Sequence, residues 1–487
     1  MFKQPTAIAG FAISAVIAHY TLAQSPSTTV GESGIAPRSD ELLIDEGAGP
    51  VDNAEGLVEI GEYPEAINII ELEIEKIERR SSRYNIELAR PLAILGDALA
   101  GVGDREGALG AYDRAVHITR VNRGLHHPSQ VDIVYREANV LAAKGNVAKA
   151  NRRHEYAYDV LLRSYGGGSP MLLPGIFALA DWYLVNYNIF SARGLYDHAL
   201  SLAGETLPAD DPNRLRALRG VAATYRSERF PPYQREKKPG SSQPVGYRYG
   251  TMPAINNFAK GERALIEVVK VTMASEEATQ EAVARAMLEL GDWYLVFGKH
   301  DRATTLYRNV WELMQSMPDQ LAEIFDSPKP LYLPLPGDPE SDRIPAGRPR
   351  SGVVELSFRV DESGGVSSIA TLHSEPQDLM DVKVRRAVRR ARYRPAFDGQ
   401  TTLATEDVRV SHEFMYYPTE DFPPDDGSNE QAGAETRPAG KAPLWIFRPA
   451  GASTERRGQV WCAVGRTLHR LGSRPDNPHG VLLGDCR

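Results

Sequence analysis

The chain has 487 residues, 42% apolar and 25% charged, ordinary proportions for a soluble protein with room for several domains. A net charge of −8 and an isoelectric point near 5.9 exclude a general nucleic-acid binder, which would be basic. The two cysteines, Cys462 and Cys486, lie within the last 30 residues, so neither a disulfide framework nor a cysteine metal site organises the fold. Whether they pair with each other stays open.

At the N-terminus, Lys3 precedes an apolar run from Ala7 to Ala18. Thr21-Leu22-Ala23 then places small residues at −3 and −1 of a cut before Gln24. This order predicts a secretory signal peptide over 1–23 and a periplasmic protein. The run is shorter than the roughly 20 apolar residues a membrane span needs. The alternative is an uncleaved inner-membrane anchor with the chain facing the periplasm. Residues 24–50, rich in Ser, Thr, Gly, Pro and acids, read as a flexible lead-in.

From Val51 a helical pattern begins and repeats. Ala66, Ala108, Ala150 and Ala192 sit 42 residues apart, each five residues after Gly61, Gly103, Gly145 or Tyr187. Pro128, Pro170 and Pro212 keep the same register. A fixed period signals stacked units, each too small to bury its apolar face alone. In the clearest unit, Leu88–Thr119, Leu92, Leu95 and Leu99 form one apolar stripe. Gly103-Asp104 turns the chain, and Ala108, Tyr112 and Ala115 form the facing stripe.

These positions resemble the tetratricopeptide repeat family. Gly96, Gly103, Ala108, Tyr112 and Ala115 match its pattern, as do Ala180, Tyr187, Ala192, Tyr196 and Ala199, and Gly291, Gly298, Ala303 and Tyr307. The 42-residue length and the Gly124-Leu-His-His-Pro128 link resemble the long-linker variety, as in kinesin light chain. The resemblance implies an all-α superhelical solenoid of six units over 51–317. The fifth unit pairs Asn213–Arg226 with Asn256–Ala274 across an insertion, Phe230 to Pro253.

After Met317 the pattern changes. Residues 318–350 read as a proline-rich linker, with seven prolines between Ser327 and Arg350, so the two flanking domains are expected to act separately. Gly352–Val360 and Val366–His373 alternate as strands around an Asp361–Gly365 turn. Asp378–Arg392 reads as a helix with Leu379, Val382, Ala387 and Val388 inward. Tyr393-Arg-Pro-Ala396 leads to a last strand, Asp407–Tyr417. The strand start, the Asp-x-x-Gly-Gly hairpin, Ser374, the Ala-Val-Arg run and Tyr-Arg-Pro-Ala before Gly399 resemble the C-terminal domain of the TonB family. The resemblance implies a small α+β (ββαβ) domain over 351–417. Residues 418–487 read as a mostly disordered tail.

No Ser/His/Asp arrangement, phosphate-cradling glycine loop or paired-cysteine motif appears, so the sequence supports neither an enzyme nor a cofactor site. His126-His127 lacks a third ligand at metal spacing and reads as a link. Trp182-Tyr183 and Trp293-Tyr294 read as helix packing. Asp97, Asp181 and Asp292 share one repeat position, which Asn139 holds in the third unit. The tetratricopeptide resemblance turns this position toward the concave groove. There these residues either bind a partner segment or hydrogen-bond the next unit, and the two readings stand level.

The run Lys383, Arg385, Arg386, Arg389, Arg390, Arg392, Arg394 makes one helix face basic, a face for an acidic partner or simply for solvent. The TonB resemblance implies contact with an outer-membrane or periplasmic protein by strand addition. Val408 and Val410 on the last strand, with Arg385, Arg386 and Arg389, are the candidate residues. The sequence therefore predicts a non-enzymatic binding scaffold of the cell envelope. The alternative is a TonB-type energy transducer for outer-membrane transport that keeps its membrane anchor. Energy-transducing members of that family carry a Ser and a His one turn apart in the anchor, whereas Ser14 and His19 are five apart.

Overall fold

The computed structural model describes residues 49–232, 258–339 and 349–418. The segment expected to be a signal peptide, most of the expected lead-in, the bulk of the insertion and the expected tail lie outside them. Six antiparallel helix pairs follow one another: α1 (Pro50–Ile60) with α2 (Tyr63–Arg80), α3 (Ala89–Gly101) with α4 (Arg105–Arg123), and α5 (Val131–Ala143) with α6 (Val147–Tyr165). Then come α7 (Leu173–Val185) with α8 (Ile189–Thr206), α9 (Pro212–Arg229) with α10 (Phe258–Ala274), and α11 (Gln280–Val296) with α12 (His300–Met314).

The period has a local cause. Gly61, Gly103, Gly145 and Gly298 end first helices at φ of 87°, 88°, 73° and 72°, where a side chain is disfavoured. Tyr187 takes the same turn at φ 60°, anchored by its hydroxyl, which donates to Ser227 O at 2.9 Å. Pro128 and Pro170 open 3-10 turns between units, and Pro212 opens α9, positions where a missing N–H is harmless. His127 accepts from Ser129 N, so the histidine pair serves this link.

Ala66, Ala108, Ala150 and Ala192 have no exposed surface. They are fully enclosed where helices pack, which leaves room for a small side chain. Gly96 shows the same closeness: a Cβ there would lie 2.3 Å from Tyr112 Cε1.

The stretch read as a linker is partly structured. α13 (Pro318–Phe325) follows the sixth pair, and β1 (Lys329–Tyr332) pairs antiparallel with β4 (Arg392–Arg394). Among the described residues of 327–350 there is no helix, and Pro330 fits an edge strand.

The C-terminal domain has the expected ββαβ order. β2 (Arg350–Val360) lies between β3 (Val366–Glu375), its antiparallel hairpin partner, and β7 (Thr405–Tyr416). Asp361 fixes the hairpin by accepting from the N–H groups of Ser363 and Gly365 at 2.8 and 2.9 Å. Burial would raise its pKa, but these bonds and the Ser363 hydroxyl hold it below the usual carboxylate value. A short pair, β5 (Ala396–Phe397) and β6 (Thr402–Leu403), follows β4.

The helix here, α14 (Asp381–Arg390), is shorter than expected and differs in its inward face. Asp378 sits at φ 64°, outside the helical region, so the helix starts after it. Leu379, outside the helix, is 39% exposed, and Val382, about 200° around the helix from Val384, is 66% exposed, while Val384, Ala387 and Val388 are buried.

Replacing Ala108 or Ala192 with Arg forces both excess volume and an unpaired charge between packed helices. The expected loss is several kcal/mol, roughly 3 or more. Thermal unfolding of the full chain measures it, and an unchanged midpoint would remove the packing argument.

Candidate interaction surfaces

The acidic positions sort themselves by what their carboxylates hold. Asp97 accepts from the Tyr112 hydroxyl at 2.7 Å and from Arg136 of the next unit. Asp181 accepts from Tyr196 and, at 2.7 Å, from Arg216 of the next unit. Each is a rung joining consecutive units. Burial raises the Asp97 pKa, and the Tyr112 and Arg136 contacts oppose that. Of the two readings of these aspartates, the bond to the next unit holds.

Asp292 departs furthest from the groove-binding expectation. Its carboxylate accepts from the Tyr307 hydroxyl at 3.0 Å, from Arg394 Nε at 2.9 Å and from Arg394 Nη2 at 3.0 Å. Arg394 belongs to the C-terminal domain, 102 residues away along the chain. Both side chains are about nine-tenths buried. Asp292 is thus not open to a partner, and the expectation of two separate domains does not hold. The described residues up to Pro339 and from Gly352 to Phe414 form one compact unit.

Asn139 breaks the ladder. It is exposed, His154 stands where the other units have tyrosine, and Pro174 and Ala178 stand where the arginines would be. His154 stacks on Trp182 at 4.4 Å, and neither ring nitrogen has a hydrogen-bond partner. Burial pushes its pKa down to about 4. The tryptophan-tyrosine pairs pack as expected: Trp182 donates to Asn151, Tyr183 to Glu155, Tyr294 to Glu262, and Trp293 is buried.

Sequence reasoning missed the arginine half of each rung, and it missed one rung entirely. Glu55 lies one period before Asp97 and accepts from Arg90. Arg90 and Arg216 are three periods apart, a spacing that marks them as the same part. Nothing in the period points to Arg394. A further buried charge, Glu289 beside Arg219 at 3.1 Å, lies one helical turn before Asp292. Burial pushes its pKa up to about 7 against the pull of Arg219 and Arg226.

On the C-terminal domain, β7 has one strand neighbour among the described residues, β2. Val408 and Val410 are half-buried, while Arg409, Ser411 and Glu413 face solvent. The basic run divides by role. Lys383, Arg385, Arg389, Arg390 and Arg392 are exposed, Arg386 is half-buried, and Arg394 is buried. Among the described residues no group of three or more His, Cys, Asp or Glu side chains is placed to hold a metal ion. No helix among them is long and apolar enough to cross a membrane.

Residues 346–414 match the family described as Gram-negative bacterial TonB protein C-terminal. The described residues form a solenoid of six helix pairs followed by a domain that matches the TonB C-terminal family. Similar solved structures include a Podosopora anserina putative kinesin light chain with nearly identical TPR-like repeats. It is 17% identical at a TM-score of 0.36, covering 47% of this chain and 95% of that one. BtubC (BKLC) from P. vanneervenii is 14% identical at a TM-score of 0.38, covering 61% and 99%. YrrB, described as a TPR protein with an unusual peptide-binding site, is 12% identical at 0.27, covering 46% and 86%. No curated protein matches the chain.

The buried His154 gives a pH signature. Its folded pKa of about 4 lies below the ordinary 6.5, so the unfolded chain binds the extra proton between these values. The histidine's contribution is present above pH 6.5 and is lost as pH falls toward 4. Relative to wild type, His154→Phe should therefore gain stability across that fall and stay level above it. Parallel denaturation midpoints for the two proteins throughout the range would refute this.

Proposed function

We propose that this protein is a non-enzymatic scaffold of the cell envelope. Its TonB C-terminal domain takes up an extended segment of an envelope protein, such as an outer-membrane receptor, and its solenoid carries further protein contacts. The observation that carries the reading is β7, a strand of twelve residues with one strand neighbour among the described residues. Among the described residues no strand lies along its second edge, and an extended peptide extends such a sheet by main-chain hydrogen bonds. The exposed arginines of α14 lie on the same domain and favour a partner carrying acidic side chains.

A periplasmic location is part of this proposal and rests on the pattern Lys3, Ala7–Ala18 and Thr21-Leu22-Ala23. The mature chain is then expected to begin at or near Gln24. Mass spectrometry of the protein from the envelope reads this directly, and an intact Met1–Ala23 would favour the anchored transducer.

Strand addition is tested by proline scanning. Successive residues of a strand send their N–H groups to opposite sides, so of Arg409→Pro and Val410→Pro one removes an outward donor. That variant should lose capture of the partner in a crosslinking pull-down from intact cells. Capture unchanged in both would place the partner elsewhere.

A further inference from the structure

We infer that the TonB C-terminal domain stands in for a seventh repeat, capping the solenoid so that α11–α13 and the domain fold as one cooperative body. The inference is independent of the compartment and partner proposed above. Repeat arrays need terminal caps because the last unit otherwise exposes the face its successor would cover. Here the successor's arginine is supplied by Arg394. It meets Asp292 as Arg136 meets Asp97 and Arg216 meets Asp181, and in all three rungs the same carboxylate also takes the tyrosine hydroxyl fifteen residues on.

The last rung is the most deeply set. Arg216 is 47% exposed and Arg136 32%, against 10% for Arg394. The remaining contacts cover the apolar end of the sixth unit. Phe397 packs on Phe325 at 5.3 Å, Trp311 at 5.9 Å and Tyr307 at 6.1 Å between ring centres. Arg394 Nη1 donates to Ile324 O at 3.0 Å, and Arg308 Nη2 donates to Gln400 O at 3.1 Å. The domain's hairpin also reaches the solenoid, since a Cβ on Gly364 would lie 3.4 Å from Leu295. Finally, β1, which leaves the solenoid end, is hydrogen-bonded into β4. A tethered domain would need none of these.

The test is amide hydrogen exchange of the full chain over a denaturant series, with α3–α8 as internal reference. In wild type, peptides from α11–α13 and from 352–403 should lose protection at one shared midpoint. Arg394→Met should lower that midpoint for both regions together, with a thermal shift of roughly 10 °C. Arg394→Lys, which keeps the charge without the two-pronged geometry, should fall between. Phe397→Ala should move both regions in the same way. Separate midpoints in wild type overturn the inference without recourse to any variant. So does an Arg394→Met protein in which only 352–403 loses protection.

Discussion

The ion pair between Asp292 and Arg394 is the contact on which the arrangement of this protein turns. Removing two charges from water is costly, and the attraction between them recovers that only when every remaining polar valence is filled. Here each guanidinium nitrogen has an acceptor: the carboxylate takes two guanidinium N–H groups and a tyrosine hydroxyl, and the third nitrogen reaches the end of α13. Loss of one member would leave an unpaired buried charge, a penalty of about 3–5 kcal/mol. The rungs at Asp97 and Asp181 use the same chemistry nearer the surface. Exposed pairs contribute about 0–1 kcal/mol, so those rungs set register more than stability.

Stability inside the solenoid comes from a different source. Alanines with no exposed surface let helices approach, and tyrosines such as Tyr112, Tyr196 and Tyr307 fill the space between them. Each tyrosine then needs a partner for its buried hydroxyl, which the rung aspartate provides. The third unit solves the problem otherwise. There Asn139 and His154 replace the pair together, and the histidine, stacked on Trp182, is held neutral by burial.

These constraints bear on function through what they leave available. The rung aspartates each hold an arginine of the following unit or domain, and of the three Asp292 is the one that is buried. The end of the solenoid is covered by the TonB C-terminal domain, and β4 is paired with β1. What remains on that domain is the second edge of β7 and the arginine-bearing face of α14. Docking at the solenoid end fixes how the domain is carried without consuming either surface.

The period of 42 was visible in the sequence because its causes are local: a left-handed turn needs glycine, a close helix contact needs alanine, and a link tolerates proline. The six helix pairs, the hairpin at Asp361–Gly365 and the edge position of the last strand follow from such signals. The inward face of α14 did not: left-handed Asp378 leaves Leu379 outside the helix, and Val382 lies about 200° around it from the buried Val384. The role of the acidic positions was half legible, since the repeat aligned Asp97, Asp181 and Asp292 but not their arginines. Arg394 was read as one more cation on a basic face. Its neighbours along the chain are exposed arginines, whereas its partner lies 102 residues upstream in another fold. Local spacing reports which residues share a turn or a helix face. Which charge is buried against which is settled only when separate elements pack, because only then is water removed from both.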